Sequence, residues 1–243
     1  MTTMFKQIVI VLLSIFLMSC TSDETLSETG TTHPIPIASS IRYLALGDSY
    51  TIGQSVCETC RYPEQLKTSL KAIYPQTSFS LKIIATTGWT TSNLISAINT
   101  ENPESNYDLV TLLIGVNNQY QGRNFSIYEK DFPELISKAI TLAKGNKKNV
   151  IVLSIPDYAY TPFGQRLMGD QSEKISLEIN QYNNFAENYC KNNDIVFVSV
   201  TDITRQGLDN PALVASDGLH PSESAYKLFV DRMLPKAIIT LQK

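Results

Sequence analysis

Ile41-Arg42-Tyr43-Leu44-Ala45-Leu46-Gly47-Asp48-Ser49-Tyr50 is an apolar run that stops abruptly at Gly-Asp-Ser. Its shortness and its β-compatible residues predict a buried strand. Gly47 is expected to let the chain turn sharply. Ser49 then falls at the carboxyl end of the strand, where open α/β sheets place their ligands. Taken by itself, Gly-Asp-Ser reads equally well as an ordinary turn, since all three residue types favour turns. The flanking chain decides between the two.

Downstream, strands and helices alternate. Leu66, Leu70 and Ile73 predict a helix over 63–73, with Pro63 suited to its first turn. Residues 79–85 read as a second strand, ending at Thr86-Thr87-Gly88-Trp89-Thr90, and a helix starts over 92–98. A third strand over 108–114 ends at Gly115-Val116-Asn117-Asn118. Residues 128–142 predict a helix closed by Lys144-Gly145-Asn146. A fourth strand spans 149–155, and 156–170 read as a long loop holding Tyr158, Tyr160 and Phe163. Ile175, Ile179, Tyr182, Ala186 and Tyr189 repeat at helical spacing, and Cys190 falls near that face, where it packs as a small apolar residue. A fifth strand over 195–200 precedes Asp217-Gly218-Leu219-His220-Pro221 and a last helix from Ser222, ended or kinked near Pro235.

This alternation predicts an α/β domain over 41–243: a flavodoxin-like three-layer sandwich around a mostly parallel five-stranded sheet. In a flavodoxin-like strand order, strands one and three flank the switch point, and their loops carry Ser49 and Asn117.

Upstream, Lys6 precedes the apolar run Ile8 to Met18, which ends at Ser19-Cys20. A positive end, a short apolar stretch and a small residue describe a secretory signal over 1–19 rather than a spanning helix. Leu17-Met18-Ser19-Cys20 resembles a bacterial lipobox, whose cysteine becomes the lipidated first residue. That implies an exported protein held on a membrane through Cys20. Residues 20–40 are polar and broken by prolines, and read as a flexible tether. The net charge of −3 becomes one unit more negative without Lys6. Such mild acidity lacks the basic signature of a nucleic-acid binder. Cys57-x-x-Cys60 is compatible with a zinc half-site, a redox pair or a short disulfide. No second pair is spaced to complete a zinc site. Outside the cytosol a disulfide is the simplest reading.

A serine hydrolase needs a hydroxyl nucleophile, a base, a carboxylate to orient the base, and donors for the oxyanion. The chain has two histidines, and His33 lies in the tether, so His220 is the folded candidate for the base. Asp217, three residues earlier, can turn back toward it within one loop. With these residues placed, the sequence resembles the SGNH hydrolases, the GDSL-type esterases and lipases. Gly47-Asp48-Ser49-Tyr50 matches the first family block, with Tyr50 for the commoner leucine. Gly88 matches the second. Gly115-Val116-Asn117-Asn118 matches the third, with Asn118 for the family's aspartate, and Asp217 with His220 matches the last. The blocks occur in the family's order.

The resemblance implies an acyl-serine enzyme without metal or cofactor. Ser49 would be the nucleophile, His220 the base and Asp217 its orienting carboxylate. The backbone N–H groups of Ser49 and Gly88 and the Asn117 amide would hold the oxyanion. A glycine at 88 is expected because the backbone must approach the substrate oxygen without a Cβ in the way. Trp89, Tyr158, Tyr160 and Phe163 are candidates for an acyl pocket or lid, or for a packed loop. The expected substrates are lipid or short-chain acyl esters, with carbohydrate acetyl esters second. A surface-tethered binding module that keeps the fold without the chemistry is the reading from another class.

Overall fold

The deciding stretch forms β1 (Ser40–Gly47), and after the cap residue Asp48 the chain turns into α1 (Ser49–Ile52). The computed structural model describes residues 35–242, with the side chain of Met168 excepted. The signal segment, Cys20 and the first part of the tether lie outside the described residues. Ala38 and Ser39 are already pinned to the sheet, their carbonyls accepting from Thr77 Oγ1 and Ser78 N.

The chain continues through α2 (Tyr62–Ile73), β2 (Ser78–Ala85), α3 (Thr91–Glu101), β3 (Leu109–Leu113), α4 (Val116–Tyr120) and α5 (Phe125–Leu142). After β4 (Val150–Leu153) come α6 (Pro162–Met168), α7 (Ser172–Asn192), β5 (Val196–Val198), α8 (Thr201–Thr204) and α9 (Glu223–Leu241). The strands form one sheet in the order β2-β1-β3-β4-β5, every pairing parallel. β3 and β4 are buried along their whole length, as expected of strands covered on both faces. Helices α2 and α9 pack together on one face, and α5 packs with α3 and α7 on the other. The fold class is therefore the expected one.

Three local expectations differ. The 156–170 segment is not an open loop. Thr161 caps the Gly164 N–H and Pro162 takes the first position of α6, a start signal that Gly164 masks in the sequence. The last helix runs through Pro235 to Leu241 instead of ending there. Gly47 does not make the turn. It is the last residue of β1, and a Cβ there would lie 2.1 Å from Thr51 Oγ1 and 2.4 Å from the Leu113 carbonyl oxygen. Its role is to let the nucleophile turn sit against β3. Cys190 is fully buried on the inner face of α7, and burial pushes its thiol up to about 12.

Candidate active site

Strand order puts the carboxyl ends of β1 and β3 side by side, with Gly47 opposite Leu113. The loops that leave them carry Ser49 and Asn117. The two meet in one cleft of about 220 Å3, lined by Ser49, Gly88, Asn117 and His220 on its polar side. Val116, Tyr120, Tyr158, Phe163 and Leu219 form its apolar side.

Ser49 opens α1 and is nearly buried, and Asp48 caps that turn by accepting from the Tyr50 N–H at 3.1 Å. Asp48 itself is fully enclosed, and among the described residues its Oδ2 has no hydrogen-bond partner. Burial raises its carboxyl to about 7, against the lowering pull of its backbone hydrogen bonds.

The base loop is fixed at both ends. Ala215 N donates to the His220 carbonyl at 2.7 Å, and Val214 bridges Pro221 in antiparallel fashion. Within the loop, Asp217 Oδ1 accepts from the backbone N–H groups of Leu219 and His220 at 2.9 and 3.0 Å. Its Oδ2 lies 2.6 Å from His220 Nδ1 and also accepts from Ser55 Oγ at 2.6 Å. Partial burial by itself would raise the Asp217 carboxyl. The hydrogen bonds from Ser55, the His220 ring and the two N–H groups outweigh it and bring the group to about 2. An ionised Asp217 takes the Nδ1 proton of the neutral imidazole as its donor, which leaves Nε2 as the acceptor. His220 is buried, with the Tyr50 ring edge-on at 5.7 Å.

Helix α4 and its cap residue Gln121 clamp the Gly88 loop and the start of α3 with three amides. Asn117 Nδ2 donates to the Trp89 carbonyl at 3.0 Å, leaving its second N–H for the cleft. Gln121 Nε2 donates to the Gly88 carbonyl at 3.0 Å. Asn118 is fully buried, accepts from Thr91 N and donates to Thr91 Oγ1, which in turn donates to Asp131. An amide where the family has an aspartate thus ties two loops through both of its ends. Gly88 adopts φ +85°, and a Cβ there would meet no atom of the protein within 4 Å. Glycine is called for by that left-handed backbone rather than by crowding within the chain.

Of the four aromatic candidates, Tyr158 and Phe163 line the cleft. Trp89 packs half-buried against the core and presents its carbonyl to Asn117. Tyr160 faces outward beneath the Arg205 guanidinium. Tyr120, which sequence reasoning missed, stands edge-on to Tyr158 at 5.8 Å. It follows Asn117 by one helical turn, a spacing that could have found it. Ser55, touching Asp217 across 162 residues of sequence, had no such signal. The sulfurs of Cys57 and Cys60 are joined in a disulfide just beyond Ser55. Among the described residues no cluster of three or more His, Cys, Asp or Glu could hold a metal ion.

A parallel sheet with a serine at the carboxyl end of its first strand, sharing a cleft with an Asp-supported histidine, defines a hydrolase-like α/β architecture. Residues 45–228 match the model of the GDSL-like lipase/acylhydrolase family, and the chain belongs to that family. No protein of curated function matches the sequence. Solved structures resemble it in fold. A lipolytic G-D-S-L family member from Veillonella parvula is 18% identical with a TM-score of 0.62, covering 80% of this chain and 97% of its own. A lipase/acylhydrolase from Enterococcus faecalis is 18% identical with a TM-score of 0.61, covering 83% and 97%. Axe2, an acetylxylan esterase from Geobacillus stearothermophilus, is 18% identical with a TM-score of 0.57, covering 83% and 95%.

Proposed function

We propose that this protein hydrolyses carboxylic esters through an acyl-serine intermediate on Ser49. Ser49 Oγ attacks the ester carbonyl carbon and its proton passes to His220 Nε2. The backbone N–H groups of Ser49 and Gly88 and the free N–H of Asn117 receive the oxyanion. His220 returns the proton to the leaving alkoxide, and a water activated by the same nitrogen releases the acid. Asp217 holds the ring in the tautomer these steps require. One observation carries the reading: His220, held by its 2.6 Å contact with Asp217, lines the same cleft as Ser49, Gly88 and Asn117.

The apolar side of the cleft favours an acyl chain over a bare acetyl group, so lipid or short-chain acyl esters lead. Acetyl esters of a polysaccharide are the second reading, supported by the likeness to an acetylxylan esterase. Hydrolysis of p-nitrophenyl esters from acetate to long-chain acyl, beside Ser49→Ala, separates them. Chain-length preference lost in the mutant supports the first reading, and activity confined to acetate supports the second. No serine-dependent activity on any ester returns the binding-module reading. The same proposal places the protein outside the cytosol, anchored through lipidated Cys20. Detergent-phase partitioning that survives Cys20→Ser would refute that anchor.

A further inference from the structure

The turn that follows the nucleophile helix reaches both other arms of the site. Gln54 N donates to the Ser49 carbonyl at 3.0 Å, and Gln54 Oε1 accepts from Thr87 Oγ1, beside Gly88, at 2.8 Å. The next residue, Ser55, donates its hydroxyl to Asp217. Ser55 does so from φ +67°, in the left-handed region that a non-glycine residue seldom occupies. Such a conformation persists where the surroundings fix it, and here they do. Val56 N closes back on the Gly53 carbonyl, and the Cys57–Cys60 disulfide closes the loop immediately after.

We infer that Ser55 is a positioning residue for the base, acting through Asp217, an inference that rests on the ester-hydrolase reading above. Its hydroxyl shares Oδ2 with the His220 Nδ1 proton, while the two backbone N–H groups occupy Oδ1. Four donors therefore fix the plane of this carboxylate. Without Ser55, the carboxylate pivots about its Oδ1 contacts, and the direction it gives the imidazole loosens. The backbone donors cannot supply this constraint, because both act on the other oxygen. The Asp217 side chain is 29% exposed, so water competes for the vacated position and the expected effect is moderate.

Ser55→Gly tests this, because glycine adopts the left-handed backbone without strain while removing the hydroxymethyl group that donates to Asp217. The expected result is a kcat lowered about five- to tenfold with KM unchanged and a melting temperature equal or higher. In an Asp217→Asn background the same change is expected to cost nothing more, since the two act as a unit. Wild-type kcat in Ser55→Gly overturns the inference. So does an equal loss in both backgrounds, or a loss confined to KM. The His220 Nδ1 proton gives a readout independent of turnover. Its downfield NMR signal is expected to shift in Ser55→Gly and to be lost in Asp217→Asn. An unchanged signal in Ser55→Gly overturns the inference even if the protein hydrolyses no ester.

Discussion

Replacing Asp48 with Asn is expected to stabilise the fold, and to do so more as the pH rises. The carboxyl is fully enclosed, accepts from Tyr50 N through Oδ1, and leaves Oδ2 without a partner among the described residues. Burial holds it at about 7 in the folded chain, against an ordinary value of 3.8. The folded value lies above the unfolded one. The neutral carboxyl is therefore free of penalty below about pH 4, and stability is lost as the pH rises through about 7. The full difference corresponds to about 4 kcal/mol, of which about 2 to 3 kcal/mol develops between pH 5 and 7. Asparagine keeps the Oδ1 acceptor and removes the charge. Urea unfolding of both proteins at pH 5, 6, 7 and 8 isolates this group, because the other titrations are common to both. The stability difference should grow in favour of Asp48→Asn up to about pH 7 and then level off. A difference that stays flat from pH 5 to 8, or shrinks, refutes the reasoning.

Asp217→Asn should fold normally and lower kcat by about 10³- to 10⁴-fold, because the amide can present its N–H to His220 Nδ1 and fix the wrong tautomer. Wild-type turnover in that variant removes Asp217 from the proposed chemistry. The two glycines should part company. Gly47→Ala forces a Cβ against Thr51 and the β3 backbone, at a cost of about 3 kcal/mol or more. Gly88→Ala meets open space and pays only the left-handed backbone, about 1–2 kcal/mol. Equal unfolding free energies for the two variants would contradict that distinction. Mass spectrometry of the oxidised protein should find Cys57 and Cys60 linked and Cys190 as a thiol.

The strands were legible because a doubly covered parallel sheet needs near-continuous apolar runs, and 109–114 and 150–155, interrupted only by Thr111 and Ser154, are such runs. Their carboxyl ends located Ser49 and Asn117 before any contact was known. Segment 156–170 was misread because its aromatic residues lack a period, and its helix start rests on the local chemistry of Thr161 and Pro162. The role of Gly47 was misread: a glycine announces that something about the backbone is special, but not whether crowding or dihedral angle demands it. Helix α9 passes Pro235 because local propensity yields to its packing on the sheet and on α2. Ser55 and Tyr120 were missed for different reasons. One meets its partner 162 residues away in sequence, and the other looks like an ordinary surface tyrosine until its spacing from Asn117 is read and Tyr158 is placed beside it.

The most direct test of the central claim is covalent capture. The purified protein is treated with a fluorophosphonate and its peptides are mapped by mass spectrometry. A single adduct on Ser49, absent in Ser49→Ala and formed far more slowly in His220→Ala, is the expected result. No adduct, or an adduct on another residue with Ser49 unmodified, would contradict the assignment of Ser49 as the nucleophile.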